Sequence, residues 1–257
     1  MKMETHLPVN ILKPFIKTFM IIESEHGMEN RTLPDTSMVI AFRYRGVVSD
    51  EVQGVKSKLP AAVITGIRKS SRLINYSRQA ATLLVIFNPG GAAAFFKEPL
   101  HELFGISLSL DALINPGKLN EIEEQLTDAK DSLQRIAVIE HFLISRLNET
   151  RPDLLIHHAI QQIQLANGSI RIKELVSTLP LSHDPFEKRF RRLTGTSPKQ
   201  FSSIVRLRNV INTYDPAINM TETALTAGYF DQAHFIKDFT SFTGQTPLEF
   251  FKSPLYW

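Results

Sequence analysis

One pattern of apolar and polar positions occurs twice in the C-terminal third of the chain. Phenylalanines four residues apart are followed by a Thr-Gly pair, a proline and another phenylalanine, and the pattern returns 49 residues later. The copies, identical at seven of sixteen positions, are Phe186-x-Lys188-x-Phe190-x-x-x-Thr194-Gly195-x-x-Pro198-x-x-Phe201 and Phe235-x-Lys237-x-Phe239-x-x-x-Thr243-Gly244-x-x-Pro247-x-x-Phe250. Side chains four apart share a helix face, glycine ends a helix and proline begins one. The repeat therefore predicts one helical unit built twice.

The second copy is preceded by a short helix and a tight turn. Gly228 permits the backbone angles of the turn, and Asp231 is predicted to cap the next helix by accepting hydrogen bonds from its first N–H groups. Ala224 is small where two helices cross, and Phe235 and Phe239 face inward. The outward face carries Gln232, Ala233, Ile236 and Lys237. A helix-turn-helix with an exposed second helix is the layout of a DNA reader.

The first copy has the same arrangement. Arg171 to Leu179 is predicted as a supporting helix and Pro180-Leu181 as the turn. Ser182 is the predicted N-cap of a recognition helix, and Pro198 to Tyr214 is a long connecting helix. Basic residues outnumber acidic ones by five between 183 and 208, where Asp184 and Glu187 oppose Lys188, Arg189, Arg191, Arg192, Lys199, Arg206 and Arg208. Phosphates would lie against such a patch.

The N-terminal half alternates short β-like runs with turn residues and shows no intervening helices. The predicted strands are Phe15 to Glu23, Ser37 to Tyr44, Ala61 to Arg68 and Thr82 to Phe87. The turns between them contain Pro34-Asp35, Arg45-Gly46, Leu59-Pro60 and Asn88-Pro89-Gly90-Gly91. This spacing is typical of an antiparallel barrel or sandwich.

The segment from Asn88 to Phe96 has two interpretations. Its glycines and small residues could let the backbone approach a ligand carboxylate at a helix N-terminus. The default interpretation is a strand-to-helix corner packed under the barrel, with Phe95 and Phe96 in the core.

Two helices are predicted after this segment, Lys118 to Leu126 and Ser132 to Leu147. The second carries an apolar stripe interrupted by Glu140, formed by Leu133, Ile136, Ala137, Leu143, Ile144 and Leu147. The stripe could pack on the barrel or pair with the same helix of a second subunit. A polar stretch closed by a proline, Asn148 to Pro152, is the predicted boundary between domains 1–150 and 151–257.

Composition narrows the class of protein. The chain has 257 residues, is 43% hydrophobic and has no cysteine, which suits two globular domains in the cytoplasm and excludes disulfides and thiolate sites. No apolar signal segment is evident at the N-terminus, and no run is long enough to cross a bilayer. Net charge is only +3.

The sequence contains no pattern typical of a catalytic or metal-binding site. His6, His26 and His101 are far apart, and the adjacent His157 and His158 point about 100° apart on a helix, which does not suit chelation of one metal. Neither a Gly-x-Ser-x-Gly elbow nor a phosphate-binding glycine loop is present. The sequence therefore predicts no enzyme activity, cofactor or metal.

The repeated unit resembles the AraC-type (AraC/XylS) family of bacterial transcription regulators over roughly Asp153 to Phe251. The most specific residues are Gly228-Tyr229-Phe230-Asp231-Gln232-Ala233-His234-Phe235 with Gly244-x-x-Pro247. The resemblance implies an all-α C-terminal domain of seven helices with two helix-turn-helix motifs, preceded by a cupin-like sensor domain. The expected fold class is thus α+β multidomain, with an antiparallel β-barrel first.

Residue roles follow from the same resemblance. Asp184, Glu187 and Lys188 take positions that face base edges in the first motif, and Arg191 lies near the DNA backbone. Arg206 belongs to the basic patch on the connecting helix, and the second motif contributes Gln232, Ala233 and Lys237. Two features depart from the family: acidic residues at base-facing positions, which repel phosphate but can accept from cytosine, and Thr223 in place of an apolar residue, whose hydroxyl needs a partner.

Three hypotheses about function follow. The leading one is a DNA-binding transcription regulator whose barrel senses a small organic effector. The second is a DNA-binding regulator with a degenerate sensor domain, controlled by a protein partner or by expression level. The third, an enzyme on a cupin barrel, lacks metal ligands. The resemblance implies double-stranded DNA with an asymmetric bipartite site as partner, a homodimer through the N-terminal half, and RNA polymerase if the protein is an activator.

Overall fold

The structure, a computed structural model, describes residues 2–52, 54–148 and 152–252. Its N-terminal part is built on two antiparallel sheets. A six-stranded sheet has the order β1-β2-β9-β4-β7-β10, and a four-stranded sheet has the order β3-β8-β5-β6. The strands are β1 (Lys2–His6), β2 (Ile16–Ser24), β3 (Met28–Thr32), β4 (Val39–Arg45), β5 (Val48–Val52), β6 (Val55–Lys58), β7 (Ala62–Thr65), β8 (Arg72–Tyr76), β9 (Ala80–Phe87) and β10 (Ser107–Ser109). The predicted antiparallel β domain is confirmed.

Side chains alternate between the two faces of the larger sheet, as strand geometry requires. On β4, Val39, Ala41 and Arg43 line a cavity between the sheets, whereas Ile40 and Phe42 are buried on the opposite face. The same alternation on β7 and β9, and on β8 of the smaller sheet, gives the barrel a hollow interior. It also leaves an outer apolar face on the larger sheet for helices to cover.

The four strands predicted from sequence correspond to β2, β4, β7 and β9, and the other six strands were not predicted. β6 is exposed at every position, and β3 reads Met-Glu-Asn-Arg-Thr, so neither shows an apolar run. β8 alternates correctly, but the inward series begins with Arg72 because that face borders the cavity. A charged residue facing inward hides a strand from a search for apolar alternation.

Two helices cover the outer face of the larger sheet: α1 (Pro116–Asp128) and α2 (Ser132–Arg146). Each has a side-chain cap, since Asn115 accepts from the N–H of Gly117 at 2.9 Å and Asp131 from that of Gln134 at 2.9 Å. The ring centroid of Phe142 lies 6.3 Å from that of Phe42, which places α2 against β4.

The apolar stripe predicted on α2 was partly wrong. Leu133 is 67% exposed and Ile144 is 40% exposed, so both lie outside the buried face. That face contains Ile136, Ile139, Phe142 and Leu143. The prediction followed a stripe that included Leu133 and omitted Phe142, whereas barrel packing selects the face on the Phe142 side. Packing on the barrel is therefore confirmed for the buried face.

The glycine segment after β9 is a packed corner. A Cβ at position 91 would lie 2.1 Å from the carbonyl oxygen of Phe15, so only glycine fits there. Phe95 and Phe96 are buried, and the ring centroids of Phe15 and Phe95 are 5.7 Å apart. Chain, rather than a ligand, therefore occupies the space beside Gly91.

The helical domain contains seven helices within residues 152–252, as the resemblance implies. They are α3 (Leu154–Leu165), α4 (Ile172–Ser177), α5 (His183–Thr194), α6 (Pro198–Thr213), α7 (Met220–Thr226), α8 (Gln232–Thr243) and α9 (Pro247–Lys252). The predicted domain boundary at 150/151 lies outside the described residues. Asp153 caps α3 by accepting from the N–H of Ile156, so the helix begins after Pro152 and not at it.

The sequence repeat is also a structural repeat. The hydroxyl of Thr194 donates to the carbonyl of Phe190 and accepts from the N–H of Thr196, and Thr243 makes the same pair of bonds to Phe239 and Gln245. The glycines that follow both have left-handed φ, 85° and 78°. The phenylalanine rings repeat as well, because the last two rings of each copy meet edge to face at 5.5 and 5.1 Å.

The buried apolar residues divide in an unexpected way. One cluster belongs to the first helix-turn-helix unit alone and includes Ile160, Phe186, Phe190 and Phe201. The residues of the second unit belong to a cluster that also contains the barrel and its covering helices. Among the described residues, no helix is both long enough and apolar enough to cross a membrane.

The Thr-Gly ends of α5 and α8 make the same hydrogen bonds, so they should contribute similarly to the free energy of unfolding. Thr194→Val and Thr243→Val each remove a hydroxyl that is buried with a backbone donor and acceptor, so each should lower the free energy of unfolding by about 1–3 kcal/mol. Thr226→Val, at an exposed position of α7, should change it by no more than about 0.5 kcal/mol. Urea denaturation followed by circular dichroism measures all three. A Thr243→Val variant as stable as Thr226→Val would contradict the structural repeat.

Candidate nucleic-acid interface

The first recognition helix, α5, presents a charged outer face. Asp184 and Lys188 are exposed, and the side chain of Asp184 is 99% exposed. Glu187 is half-buried, with its carboxylate 3.6 Å from the guanidinium of Arg191, one turn further along. Ser182 occupies the N-cap position, as predicted, but its side chain makes no capping hydrogen bond. Within the described residues, no capping side chain occupies the first N–H groups of α5, so a phosphate can approach them.

The second recognition helix, α8, begins as predicted. Asp231 accepts from the N–H of His234 at 2.7 Å, and Ala233 and Lys237 are exposed. Gln232 is half-buried, because its carbonyl oxygen accepts from the hydroxyl of Thr221 on α7 at 2.7 Å. That bond holds the amide of Gln232 against α7.

The turn between α7 and α8 is stabilised by contacts from both helices. Gly228 has φ 79°, and Ala224 is fully buried where α7 meets the core. The hydroxyl of Thr223 donates to the carbonyl of Asn219 at 3.1 Å, which supplies the partner that this departure from the family required. Tyr229 is buried and donates to the carboxylate of Asp238 on α8 at 3.1 Å. Burial, and then the nearby Asp238 carboxylate, raises the pKa of Tyr229.

Arg206 links the two helix-turn-helix units. Its guanidinium donates to the carbonyl of Gly168, after α3, at 2.8 and 3.2 Å, and to that of Gly228 at 3.4 Å. It also lies 5.1 Å from the ring centroid of Tyr229. A Cβ at position 168 would lie 2.2 Å from the carbonyl oxygen of Ser202, so the loop approaches α6 as closely as glycine allows. The side chain of Arg206, which the sequence assigned to the basic patch, is therefore fixed by contacts with Gly168, Gly228 and Tyr229.

The basic patch is smaller than the sequence count suggested. Arg189 forms a two-bond ion pair with Asp153 at 2.6 and 2.7 Å, and Arg208 points to the barrel, 3.1 Å from Asp35. The exposed basic residues that remain in this region are Lys188, Arg191, Arg192 and Lys199. Sequence spacing could not reveal these losses, because Asp153 and Asp35 are distant in the chain.

A cavity of about 170 Å³ lies between the two sheets of the barrel. Its apolar wall includes Val39, Ala41, Val63, Ile74 and Leu84, and its polar wall includes Asp35, Arg43, Arg68, Arg72 and Thr82. No group of three His, Cys, Asp or Glu side chains suited to a metal is found in the described parts of the chain. The polar wall was not predicted from the sequence, although Arg43 of β4 and Arg72 of β8 occupy inward positions of their strands.

The rim of this cavity contacts the helical domain. The guanidinium of Arg208 on α6 donates to the carbonyls of Leu33 and Pro34, at 3.3 and 2.8 Å, in addition to its ion pair with Asp35. All three of its partners line the cavity. Ser71, which lies between the cavity-lining Ser70 and Arg72, bonds the C-terminal carbonyls of α8: its N–H donates to Phe242 and its hydroxyl to Thr243.

Comparisons with known proteins agree with this arrangement. A family profile described as "Helix-turn-helix domain" matches residues 175–253, and one described as "Domain of unknown function (DUF6597)" matches residues 4–109. The Msm operon regulatory protein of Streptococcus mutans is 27% identical over 122 residues. That match covers 45% of this chain and 43% of the relative, so the chain spans less than half of its length.

Solved structures of regulators are also similar to this chain. ToxT from Vibrio cholerae is 10% identical, with a TM-score of 0.47 over 97% of this chain and 98% of that one. The AraC-like transcriptional activator CuxR is 13% identical, with a TM-score of 0.28 over 88% and 91% of the two chains. Both TM-scores are below 0.5.

Substitutions on α5 should separate base contacts from phosphate contacts. Lys188→Ala should weaken binding to the preferred duplex by about 1–3 kcal/mol and relax its sequence preference, because an exposed lysine can donate to a base edge. Arg191→Ala should weaken all duplexes alike and reduce the salt slope of binding by about one. Fluorescence anisotropy titrations at several salt concentrations measure both effects.

Lys130→Ala is the control, since it removes an exposed lysine between α1 and α2. It should leave both affinity and salt slope unchanged. If Lys188→Ala and Arg191→Ala behave like this control, the outer face of α5 is not the docking face.

Proposed function

We propose that this chain, whose C-terminal part is an AraC-type helix-turn-helix domain, is a sequence-specific transcription regulator controlled by a small molecule bound in its barrel. DNA-binding regulation is supported by the profile match and by the regulatory relative. The observation that carries the proposal is the repeat of Thr-Gly closures, which builds two recognition helices with buried inner faces and exposed outer faces.

The two recognition helices differ in the side chains that they present to DNA. α5 offers Asp184, Glu187 and Lys188, with Arg191 directed at the backbone, whereas α8 offers Gln232, Ala233 and Lys237. Carboxylates accept from the amino group of cytosine, and an oriented amide can bond adenine. One protomer should therefore read an asymmetric site through two successive major grooves.

Acidic residues on α5 reduce affinity for phosphate. The exposed Arg192 and Lys199 offset this effect, because they add positive charge along the same unit. Arg206 contributes to binding chiefly as a positioning residue, because its contacts to Gly168 and Gly228 hold the second turn against the first unit.

The effector site is supported by the cavity and by its rim. Ligand sites are concave, mostly apolar and contain a few polar groups, so a cavity of about 170 Å³ with arginines on its wall favours a working sensor over a degenerate one. The three residues that Arg208 contacts also line this cavity, and so do Ser70 and Arg72 on either side of Ser71. A molecule in the cavity would therefore press on the segments that hold α6 and α8.

Rigid spacing of the two recognition helices makes a sharp prediction. α6 has 16 residues and spans about 24 Å at 1.5 Å per residue, so it keeps the two units apart. Their contacts should be about one turn of DNA apart, roughly 10–10.5 base pairs. In a site selected from a random duplex library, inserting five base pairs between the half-elements should abolish specific binding.

An insertion of ten base pairs should also abolish specific binding. It returns the second half-element to the same face of the duplex, but the fixed length of α6 keeps the second unit from reaching it. Five base pairs added outside the site serve as the control and should leave the affinity unchanged. If a single protomer binds the five-base-pair insertion as tightly as the parent site, only one unit reads DNA.

Effector control can be tested with any compound that stabilises the full chain in a thermal shift screen. Such a compound should change the Kd for DNA of the wild type by about 5-fold or more, the lower end of typical coupling. Arg208→Ala should still bind the compound but lose most of the change, because the link from the rim to α6 is gone. Arg78→Ala, at an exposed position of the barrel, should keep it. A bound compound that leaves the DNA affinity of the wild type unaltered would contradict effector control.

A further inference from the structure

Three arginines stand on the inner wall of the barrel. Arg43 comes from β4, Arg72 from β8 and Arg68 from the segment between β7 and β8, and all three line the cavity. Guanidinium groups are costly in an apolar interior unless each finds an anion or enough acceptors. Their grouping around one small space therefore needs a chemical explanation.

Within the described part of the chain, one of these arginines forms an ion pair. Arg72 pairs with Asp50 at 2.9 Å, and both side chains are only 11% exposed. Asp35 also lines the cavity, but it pairs with Arg208 of α6. Among the residues that the structure describes, neither Arg43 nor Arg68 forms an ion pair, although Asp50 attracts Arg68 and Glu123 attracts Arg43 at longer range. With Arg43, Arg68 and Arg72 against Asp35, the cavity wall carries more positive than negative charge.

Several polar atoms at the cavity also lack hydrogen-bond partners among the residues that the structure describes. They are the Nε atoms of Arg43 and Arg72 and the hydroxyl of Thr82, all buried. Each unsatisfied donor costs free energy that a bound acceptor would recover. Burial, and then the neighbouring charge of Arg72, lowers the pKa of Arg68, so an anion beside it would stabilise its charged form.

The rest of the cavity limits the size and character of the ligand. Its opposite wall is apolar, and the volume of about 170 Å³ is close to that of an engineered cavity of ~150 Å³ that holds benzene. A compact apolar body of about one six-membered ring therefore fits. A guanidinium fork matches the two oxygens of a carboxylate.

We infer that the barrel cavity is a binding site for a small organic monocarboxylate, with its anionic group held by Arg68 and Arg43 and its apolar body against Val39, Val63 and Leu84. This inference rests on the proposed effector site and adds the chemical class of the effector. Arg72, held by Asp50, Ser107 and Thr65, forms the fixed side of the anion pocket.

Isothermal titration calorimetry of the full chain tests the inference with paired probes of the same shape. The probes are benzoate, cyclohexanecarboxylate and hexanoate, each compared with its neutral primary amide. We expect at least one acid to bind at least tenfold more tightly than its amide. Arg68→Met should lose at least tenfold in affinity for that acid, and Arg78→Met, which removes an exposed arginine outside the cavity, should lose none.

The comparison of acid and amide uses only the wild-type protein, so it remains valid if Arg68→Met does not fold. Equal affinity for acid and amide, binding unaffected by Arg68→Met, or no binding of any acid would overturn the inference. A neutral compound that binds the cavity and changes DNA affinity would overturn the inference but leave effector control intact. DNA binding that no compound in the screen alters would count against both.

Discussion

A buried threonine hydroxyl at the end of each recognition helix is the constraint on which the rest of the helical domain depends. Thr194 and Thr243 each bond a carbonyl one turn back and an N–H two residues ahead, so the helix stops at a fixed point before a left-handed glycine. The next helix then begins at a proline and returns a phenylalanine to the same aromatic cluster. This closure orients the inner face of α5 and of α8, and the outer faces are exposed as a consequence.

The second constraint is the attachment of these helices to the barrel. The second unit shares one apolar cluster with the barrel, and the C-terminal carbonyls of α8 accept from Ser71. Arg208 binds the rim through Leu33, Pro34 and Asp35, all of which line the cavity. Because these bonds join the helices to the rim, the cavity rim is in direct contact with α6 and with the end of α8, which is the structural basis of the effector control that we propose.

The sequence predicted local, repeated and apolar features well, and it predicted long-range polar contacts poorly. The Thr-Gly closures, the Asp231 cap and the burial of Ala224 depend on residues a few positions apart, so pattern reasoning found them. The pairing of Arg189 with Asp153 and of Arg208 with Asp35 depends on the tertiary fold, and these two arginines were wrongly assigned to the phosphate-facing patch. β8 was missed because Arg72 faces a cavity, and the stripe on α2 was misplaced because barrel packing, not periodicity, chose the Phe142 side.

Hydroxyl-radical footprinting of one protomer on a selected duplex tests whether both recognition helices bind DNA, since it records where the protein covers the DNA backbone. We expect two protected segments, about 10–10.5 base pairs apart, on one face of the duplex. Lys188→Ala should weaken protection in one segment, and Lys237→Ala should weaken it in the other. A single protected segment would contradict DNA binding by both α5 and α8. Two segments that both substitutions weaken equally would contradict the binding of each segment by one helix.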